Sequence, residues 1–261
     1  MRRVSKHAPS AWQIVRLSFF LGWQDIRLMY RRTVLGQFWI TISMTVTFVA
    51  IGAIFGLIFK SPVIDYMPFL ACGLVFFTFL GGILNEGATS FIGAESFIKQ
   101  SPLPPIIYYL RSVWKNGFLL LHNAVALVAL FLFFPQGISG ATFLVIPGVA
   151  IAMLGMAGLG LALAMASTRF RDVPQMIAAA VQVFFYITPI LWLPTALPPE
   201  AQAIVLPWNP FYHYLEIMRQ PLLNVYPSAA DWASALAFTV TFVALGIGAY
   251  WWKYRRLAFW V

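Results

Sequence analysis

The chain has 261 residues, of which 61% are hydrophobic and only 10% are charged, and its mean hydropathy is +0.81. An ordinary soluble domain carries about 25% charged residues, so this composition argues against a water-soluble fold and predicts an integral membrane protein. The net charge of +9 would suit a nucleic-acid partner only if the 17 basic residues formed a patch. They lie instead at the ends of long apolar runs, which predicts contact with membrane lipids and no nucleic acid.

The first 32 residues are predicted to form a cytoplasmic N-terminus that contains an amphipathic helix over 12–32. Apolar residues recur there at intervals of three and four, from Trp12 to Tyr30, and basic residues lie between them. This pattern is typical of a helix that lies in the membrane interface. A plain cytoplasmic tail is the alternative. The aromatic, arginine-rich character of the segment predicts that it is not a cleavable signal peptide.

Five runs without formal charge, one of them long enough for two helices, predict six transmembrane helices, which together form a permease domain over 33–252. The predicted spans are 34–59, 67–85, two helices within 115–169 that are separated by a turn at 135–140, 173–193 and 232–252. A basic cytoplasmic tail follows at 253–261. Fifteen of the 17 basic residues then lie on one side of the membrane, and only Lys60 and Arg219 lie on the other. By the positive-inside rule, both termini are predicted to be cytoplasmic.

The predicted spans contain few ionisable groups. Glu86 lies beside Asn85 at the predicted inner end of the second span, where we expect it to anchor a helix end. His122 and Asn123 lie within the third span, and a lone intramembrane histidine usually forms a hydrogen bond to a neighbouring helix. Cys72 is expected to be a small buried residue. We predict no catalytic residue and no metal site on this chain.

An energy source is also missing from the sequence. No glycine is followed by lysine, so the phosphate-binding loop of nucleotide hydrolases is absent. No Asp or Glu lies at the centre of a predicted span, where proton-coupled carriers place such residues. Any energy for transport must therefore come from a partner.

Two connections between spans are informative. On the cytoplasmic side, 93–100 is predicted to form two turns of amphipathic helix that end at Pro102, and this helix could transmit movement from a partner; an ordinary interfacial loop is the alternative. On the outer side, Asn209 and Pro210 predict a helix start, followed by a helix over 211–220 that Pro221 ends. This apolar segment is predicted to re-enter the membrane, either as a gate or as a packed cap.

Five motifs in this order resemble those of one transporter family. They are YRRTVLGQFW at 30–39, NEG at 85–87, RFRDVP at 169–174, TPI at 188–190 and NPF at 209–211. The chain resembles, over about 12–252, the membrane subunits of type-2 ABC exporters of bacterial surface polysaccharides, the Wzm and KpsM group.

The resemblance implies an all-α homodimer of six-span subunits in the bacterial cytoplasmic (inner) membrane, paired with two copies of an ABC ATPase that binds ATP and Mg²⁺. It implies a lipid-linked polysaccharide such as O antigen as the substrate, and no cofactor on this chain. It also implies ATPase contacts on the interface helix and on a coupling helix at 94–100, and an outer gate at 197–222. The implied coupling residues are Arg27, Arg31, Glu95, Phe97, Ile98 and Lys99, and the implied gate residues are Trp208, Asn209, Phe211, Tyr212 and Tyr214.

Three other functions stay open at this point. Within the transporter class, the substrate could be teichoic acid or a small molecule. A membrane scaffold subunit without transport activity would lack both a conduit and an ATPase partner. A membrane-embedded enzyme would depend on His122 or Glu86.

Overall fold

A computed structural model describes residues 9–59 and 62–260, and all regular structure within these residues is helical. This confirms the all-α fold class. The helices are α1 Ala11–Met29, α2 Phe38–Phe59, α3 Val63–Gly93, α4 Glu95–Gln100, α5 Ile106–Phe133, α6 Val145–Arg169, α7 Val173–Ile187, α8 Pro199–Val205, α9 Pro210–Leu222, α10 Ala229–Lys253 and α11 Leu257–Trp260. Single 3-10 turns occur at Gly140–Leu144, Pro194–Ala196 and Tyr254–Arg256. Of the two basic residues placed outside the membrane, Lys60 falls outside the described residues, as does the start of the N-terminal segment.

Five of the described helices, α2, α3, α5, α6 and α10, are long and apolar enough to cross a membrane. The predicted hairpin between the third and fourth spans is present, with Gly137 at a φ of 76° in the turn. The predicted span at 173–193 is not one full-length helix. Its helix, α7, has 15 residues and is about 22 Å long, which is short of a hydrocarbon core of about 30 Å. It ends at Ile187 because Thr188 precedes a proline and adopts an extended conformation.

Helix α3 forms the centre of the bundle and packs against α2, α5, α6, α7 and α9. It is longer than the predicted span 67–85 at both ends, since it begins at Val63 and continues to Gly93. Asn85 and Glu86 therefore lie inside the helix. The sequence had suggested that they lie at its end. The helix can continue past Glu86 because a lysine on α5 pairs with this carboxylate.

Glycines allow α6 and α10 to approach backbone to backbone. A Cβ atom on Gly158 would lie 2.5 Å from the backbone nitrogen of Val243, and one on Gly246 would lie 2.2 Å from the carbonyl oxygen of Gly158. Small residues at such contacts are the usual means by which membrane helices pack closely. The pair α6 and α10 thus forms a rigid flank of the bundle.

The N-terminal helix α1 packs against the first half of α5. Its start is fixed by Ser10, which forms a capping box with Gln13. Phe19 and Trp23 make edge-to-face contacts with aromatic rings of α5, and the contact is close at Gly22, where a Cβ atom would lie 2.9 Å from the carbonyl oxygen of Arg111. The predicted helix is therefore present and supported by packing, and its position at a membrane surface stays a prediction.

Candidate functional site

The short helix α4 follows α3 directly and presents part of its surface to solvent. Phe97 is 55% exposed and stacks on Tyr108 with the ring centroids 6.0 Å apart. Ile98 is only 8% exposed and points into the bundle. The helix ends at Ser101, which is extended because Pro102 follows it. Of the implied coupling residues on this helix, Ile98 therefore supports α4 and offers no surface to a partner.

A charged pair lies on another exposed face of α4, away from Phe97. The Lys99 ammonium group lies 2.7 Å from Oε1 of Glu95, one helical turn away. The hydrogen bond from Lys99, together with its charge, lowers the pKa of the Glu95 carboxyl below its ordinary value. The carboxylate is therefore ionised at neutral pH, and α4 presents an ion pair on one face and an aromatic ring on another.

The end of α1 and the C-terminal tail lie near the same region. Arg27 is in the last turn of α1, and Arg31 follows in the next turn; both are exposed, and neither forms an ion pair within the described residues. The predicted basic tail is not an extended segment, because its helix α11 packs against α4 and α6 and buries Leu257. One cavity of about 300 Å³ is bordered by Asp25 of α1 and by Gly93 and Ala94 at the start of α4. The structure thus brings the predicted interface and coupling helices to one end of the bundle.

Two ion pairs that the sequence did not predict line this cavity. Arg111 donates to both carboxylate oxygens of Asp25, with an Nε–Oδ2 distance of 2.5 Å. Lys115 lies 2.7 Å from Glu86, which also accepts a hydrogen bond of 3.1 Å from Asn116. The sequence did carry a signal for these pairs, because Arg111 and Lys115 are four residues apart and so lie on one face of α5. Through these two residues, α5 is joined to α1 and to α3.

His122 forms hydrogen bonds in the way the sequence predicted. Nδ1 lies 2.8 Å from the carbonyl oxygen of Phe118, and Nε2 lies 3.2 Å from Oε1 of Gln37 beside α2. The hydroxyl of Thr41 donates to the His122 carbonyl oxygen at 2.8 Å. The histidine therefore joins α5 to the start of α2, and both of its ring nitrogens are occupied.

At the opposite end of the bundle, Asn209 begins α9 as predicted. Its Oδ1 accepts hydrogen bonds from the backbone N–H groups of Phe211 at 3.0 Å and Tyr212 at 3.3 Å. Its Nδ2 donates to the hydroxyl of Thr188 at 2.8 Å, which joins α9 to the break after α7. Pro221 lies in the last turn of α9, and the helix ends one residue later, at Leu222.

A buried charged pair holds α9 in place. Arg219 pairs with Glu216, donates to the carbonyl oxygen of Pro189 at 2.7 Å and lies 3.8 Å from the ring centre of Phe69. Both side chains of the pair are at most 5% exposed. The guanidinium group thus satisfies a carbonyl oxygen that the broken helix after α7 leaves free. Sequence reasoning assigned Arg219 only to the outer side and missed this arrangement.

The implied gate residues differ in their surroundings. Trp208 is 81% exposed and Tyr212 is half-buried. Asn209, Phe211 and Tyr214 are buried, and the Tyr214 hydroxyl lies 2.8 Å from that of Thr239 on α10. In this structure the segment is closely packed, and only Trp208 and Tyr212 present substantial surface.

Comparison with known proteins identifies the family. The model of the ABC-2 type transporter family matches residues 16–223, a stretch that runs from α1 to the end of α9. The chain belongs to the ABC-2 type transporters. The ABC-2 membrane subunit is a transporter component and not a catalytic one, which agrees with a bundle of apolar helices. This confirms the family that the five motifs indicated.

Curated relatives of this ABC-2 subunit include two O-antigen export system permease proteins RfbA from Klebsiella pneumoniae. They are 22% and 23% identical to the chain over 202 residues, which cover 77% of this chain and 78% of each relative. The polysialic acid transport protein KpsM from Escherichia coli is 22% identical over 234 residues, which cover 87% of this chain and 89% of KpsM.

Proposed function

We propose that the chain is the permease subunit of an ATP-driven exporter that moves a lipid-linked polysaccharide, such as O antigen, across the bacterial inner membrane. The names of the relatives refer to the export or transport of two different glycans, an O antigen and polysialic acid. The alignments with these relatives cover most of this chain. What they share is a long sugar polymer. The observation that carries the proposal is the match of α1 to α9 to the ABC-2 family together with these polysaccharide transporters.

The ATPase partner is proposed to bind at the end of the bundle where α1, α4 and α11 lie. Phe97 offers an apolar ring that a partner can bury, and the Glu95–Lys99 pair, Arg27 and Arg31 offer exposed charges at the same end of the bundle. Large aromatic anchors with a polar rim are typical of protein interfaces. ATP and Mg²⁺ would bind the partner, and two copies of each subunit would form the complex.

Both termini are proposed to be cytoplasmic, with six crossings of the membrane. Helix α7 begins just after Arg169, at one end of α6, whereas Ile217 of α9 contacts Gly148 near the other end of α6. The chain therefore travels the length of α6 between these points. The short α7 helix and the irregular segment that follows it supply this length.

Deletion of the chain in its host tests the function. We expect surface polysaccharide to disappear and the lipid-linked polymer to accumulate in the cytoplasm, with both effects reversed by the wild-type chain on a plasmid. Normal surface glycan in the deletion strain would contradict the proposal. A defect confined to teichoic acid, or to resistance against a small toxic compound, would reassign the substrate within the transporter class.

A further inference from the structure

An uncharged cleft lies between α2, α3 and α5, and its volume is about 190 Å³. Ser43, Thr78, Asn116 and Asn123 give it polar groups, and Tyr30 together with apolar residues that include Phe79 completes its lining. No Asp, Glu, Lys or Arg belongs to this lining. The cleft is thus suited to a neutral polar molecule.

Among the described residues that line this cleft, Asn123 has a buried side-chain oxygen without a hydrogen-bond partner. It is 5% exposed, and its fully buried Oδ1 accepts no hydrogen bond. Its amide nitrogen also donates to no residue in the described chain. A buried acceptor without a partner destabilises a fold, so such an atom is usually satisfied by a bound molecule or by water. The amide offers one acceptor and two donors, which matches adjacent hydroxyl groups.

The mouth of the cleft lies on a polar face. Ser43 and Thr78 are exposed, and Thr78 forms no side-chain hydrogen bond within the described residues. Thr47 on α2, and Asn85 and Thr89 on α3, are exposed at helical spacing from these two residues. Polar groups on membrane helices normally face the bundle interior or a water-filled cavity and not lipid. The mouth of the cleft is therefore polar, although the hydroxyls of Ser43, Thr47 and Thr89 also bond to carbonyl oxygens of their own helices.

We propose that this cleft is a binding site for a neutral sugar unit of the exported polymer. The amide of Asn123 exchanges hydrogen bonds with sugar hydroxyls, and the apolar wall at Phe79 packs against the C–H surface of the ring. This assignment rests on the proposed function, because it takes the sugar from the polysaccharide substrate.

Photo-crosslinking in cells tests the site directly. Benzoylphenylalanine in place of Ser43 puts a photoreactive group at the mouth of the cleft, and benzoylphenylalanine in place of Val240, an exposed apolar position on α10, serves as the control. After irradiation of exporting cells, the purified chain is probed with a stain for the surface glycan. We expect a glycan adduct at position 43 and none at 240, and the Asn123→Leu substitution should abolish the adduct.

Export and stability of Asn123→Leu separate binding from folding. We expect export to fall by about tenfold, the loss predicted for one hydrogen bond of ordinary strength. The melting temperature should stay constant or rise, because the substitution removes an unpaired buried group.

Wild-type export by Asn123→Leu would overturn the site and would indicate that the cleft holds water only. A parallel fall in melting temperature and export would also overturn it, because the effect would then come from misfolding. So would a glycan adduct at position 43 that persists in Asn123→Leu. The deletion strain judges the proposed function separately. Normal surface glycan there would refute the exporter, whereas a defective deletion strain with full export by Asn123→Leu would refute this site alone.

Discussion

The buried pair of Arg219 and Glu216 holds the segment around α9 in place. An arginine at this depth is stable only because Glu216, the Pro189 carbonyl oxygen and the Phe69 ring surround it. Removing one member of a buried pair leaves an unpaired charge and costs about 3–5 kcal/mol.

Glu216→Ala is therefore expected to lower the stability of the purified chain by roughly that amount, about 3 kcal/mol or more. Thermal unfolding in detergent measures the change. Glu95→Gln is the control, because the Glu95–Lys99 pair lies on the surface and should leave the melting temperature nearly unchanged. Equal melting temperatures for wild type and Glu216→Ala would contradict a structural role for the pair.

Interactions between residues close in the sequence could be predicted from the sequence, whereas hydrogen bonds and ion pairs between distant residues could not. The Asn209 cap depends on the next three residues, and His122 had few ways to be satisfied inside a membrane. Arg219 bonds to Pro189, 30 positions earlier, and Arg111 bonds to Asp25, 86 positions earlier. Such contacts follow from how helices are placed, which spacing along one helix does not determine.

At the scale of helices, α4 is the element proposed to transmit movement from the ATP-hydrolysing partner to the spans. Phe97→Asp puts a charge where an apolar contact with the ATPase is proposed, at a cost of about 1–3 kcal/mol. We expect ATP hydrolysis by the complex to continue while export falls. Phe143→Asp, a similarly exposed position on the turn before α6, is the matched control and should export normally. Wild-type export by Phe97→Asp would refute the coupling role of this helix.

The α6–α10 contact gives a second prediction for these elements. Gly158→Ala forces a methyl group to within 2.5 Å of the backbone of α10, so we expect a loss of about 1–3 kcal/mol and a lower melting temperature. Gly248→Ala on α10 has no atom within 4 Å of the new Cβ and should be neutral or slightly stabilising. Equal melting temperatures for the two variants would show that this contact is looser than described.

Helix boundaries could be predicted where apolar runs end at charges or prolines. The prediction of a boundary failed where packing overrides composition. The turn at 135–140 was placed correctly because glycine and proline interrupt the run. Helix α3 continued past its predicted end at residue 85, where Lys115 pairs with Glu86 within the bundle. Helix α7 was predicted too long, since hydropathy continues past the point where Thr188 and Pro189 end the helix.

For the whole molecule, composition alone indicated a membrane protein, and five motifs indicated the ABC-2 family that the match over 16–223 establishes. The three regions proposed to act together lie at distinct places: the ATPase contact at α1, α4 and α11, the sugar cleft between α2, α3 and α5, and the packed segment around α9. In a homodimer, two copies of each would surround a shared conduit. This arrangement requires a partner that hydrolyses ATP.

Copurification tests that requirement most directly. The chain is expressed with the product of any adjacent ABC ATPase gene, solubilised in mild detergent, purified by a tag on this chain and weighed by native mass spectrometry. The account predicts one complex that contains two copies of this chain and two copies of the ATPase. A chain that purifies without the ATPase, whether as a monomer or as an oligomer, would contradict the account and favour a membrane scaffold.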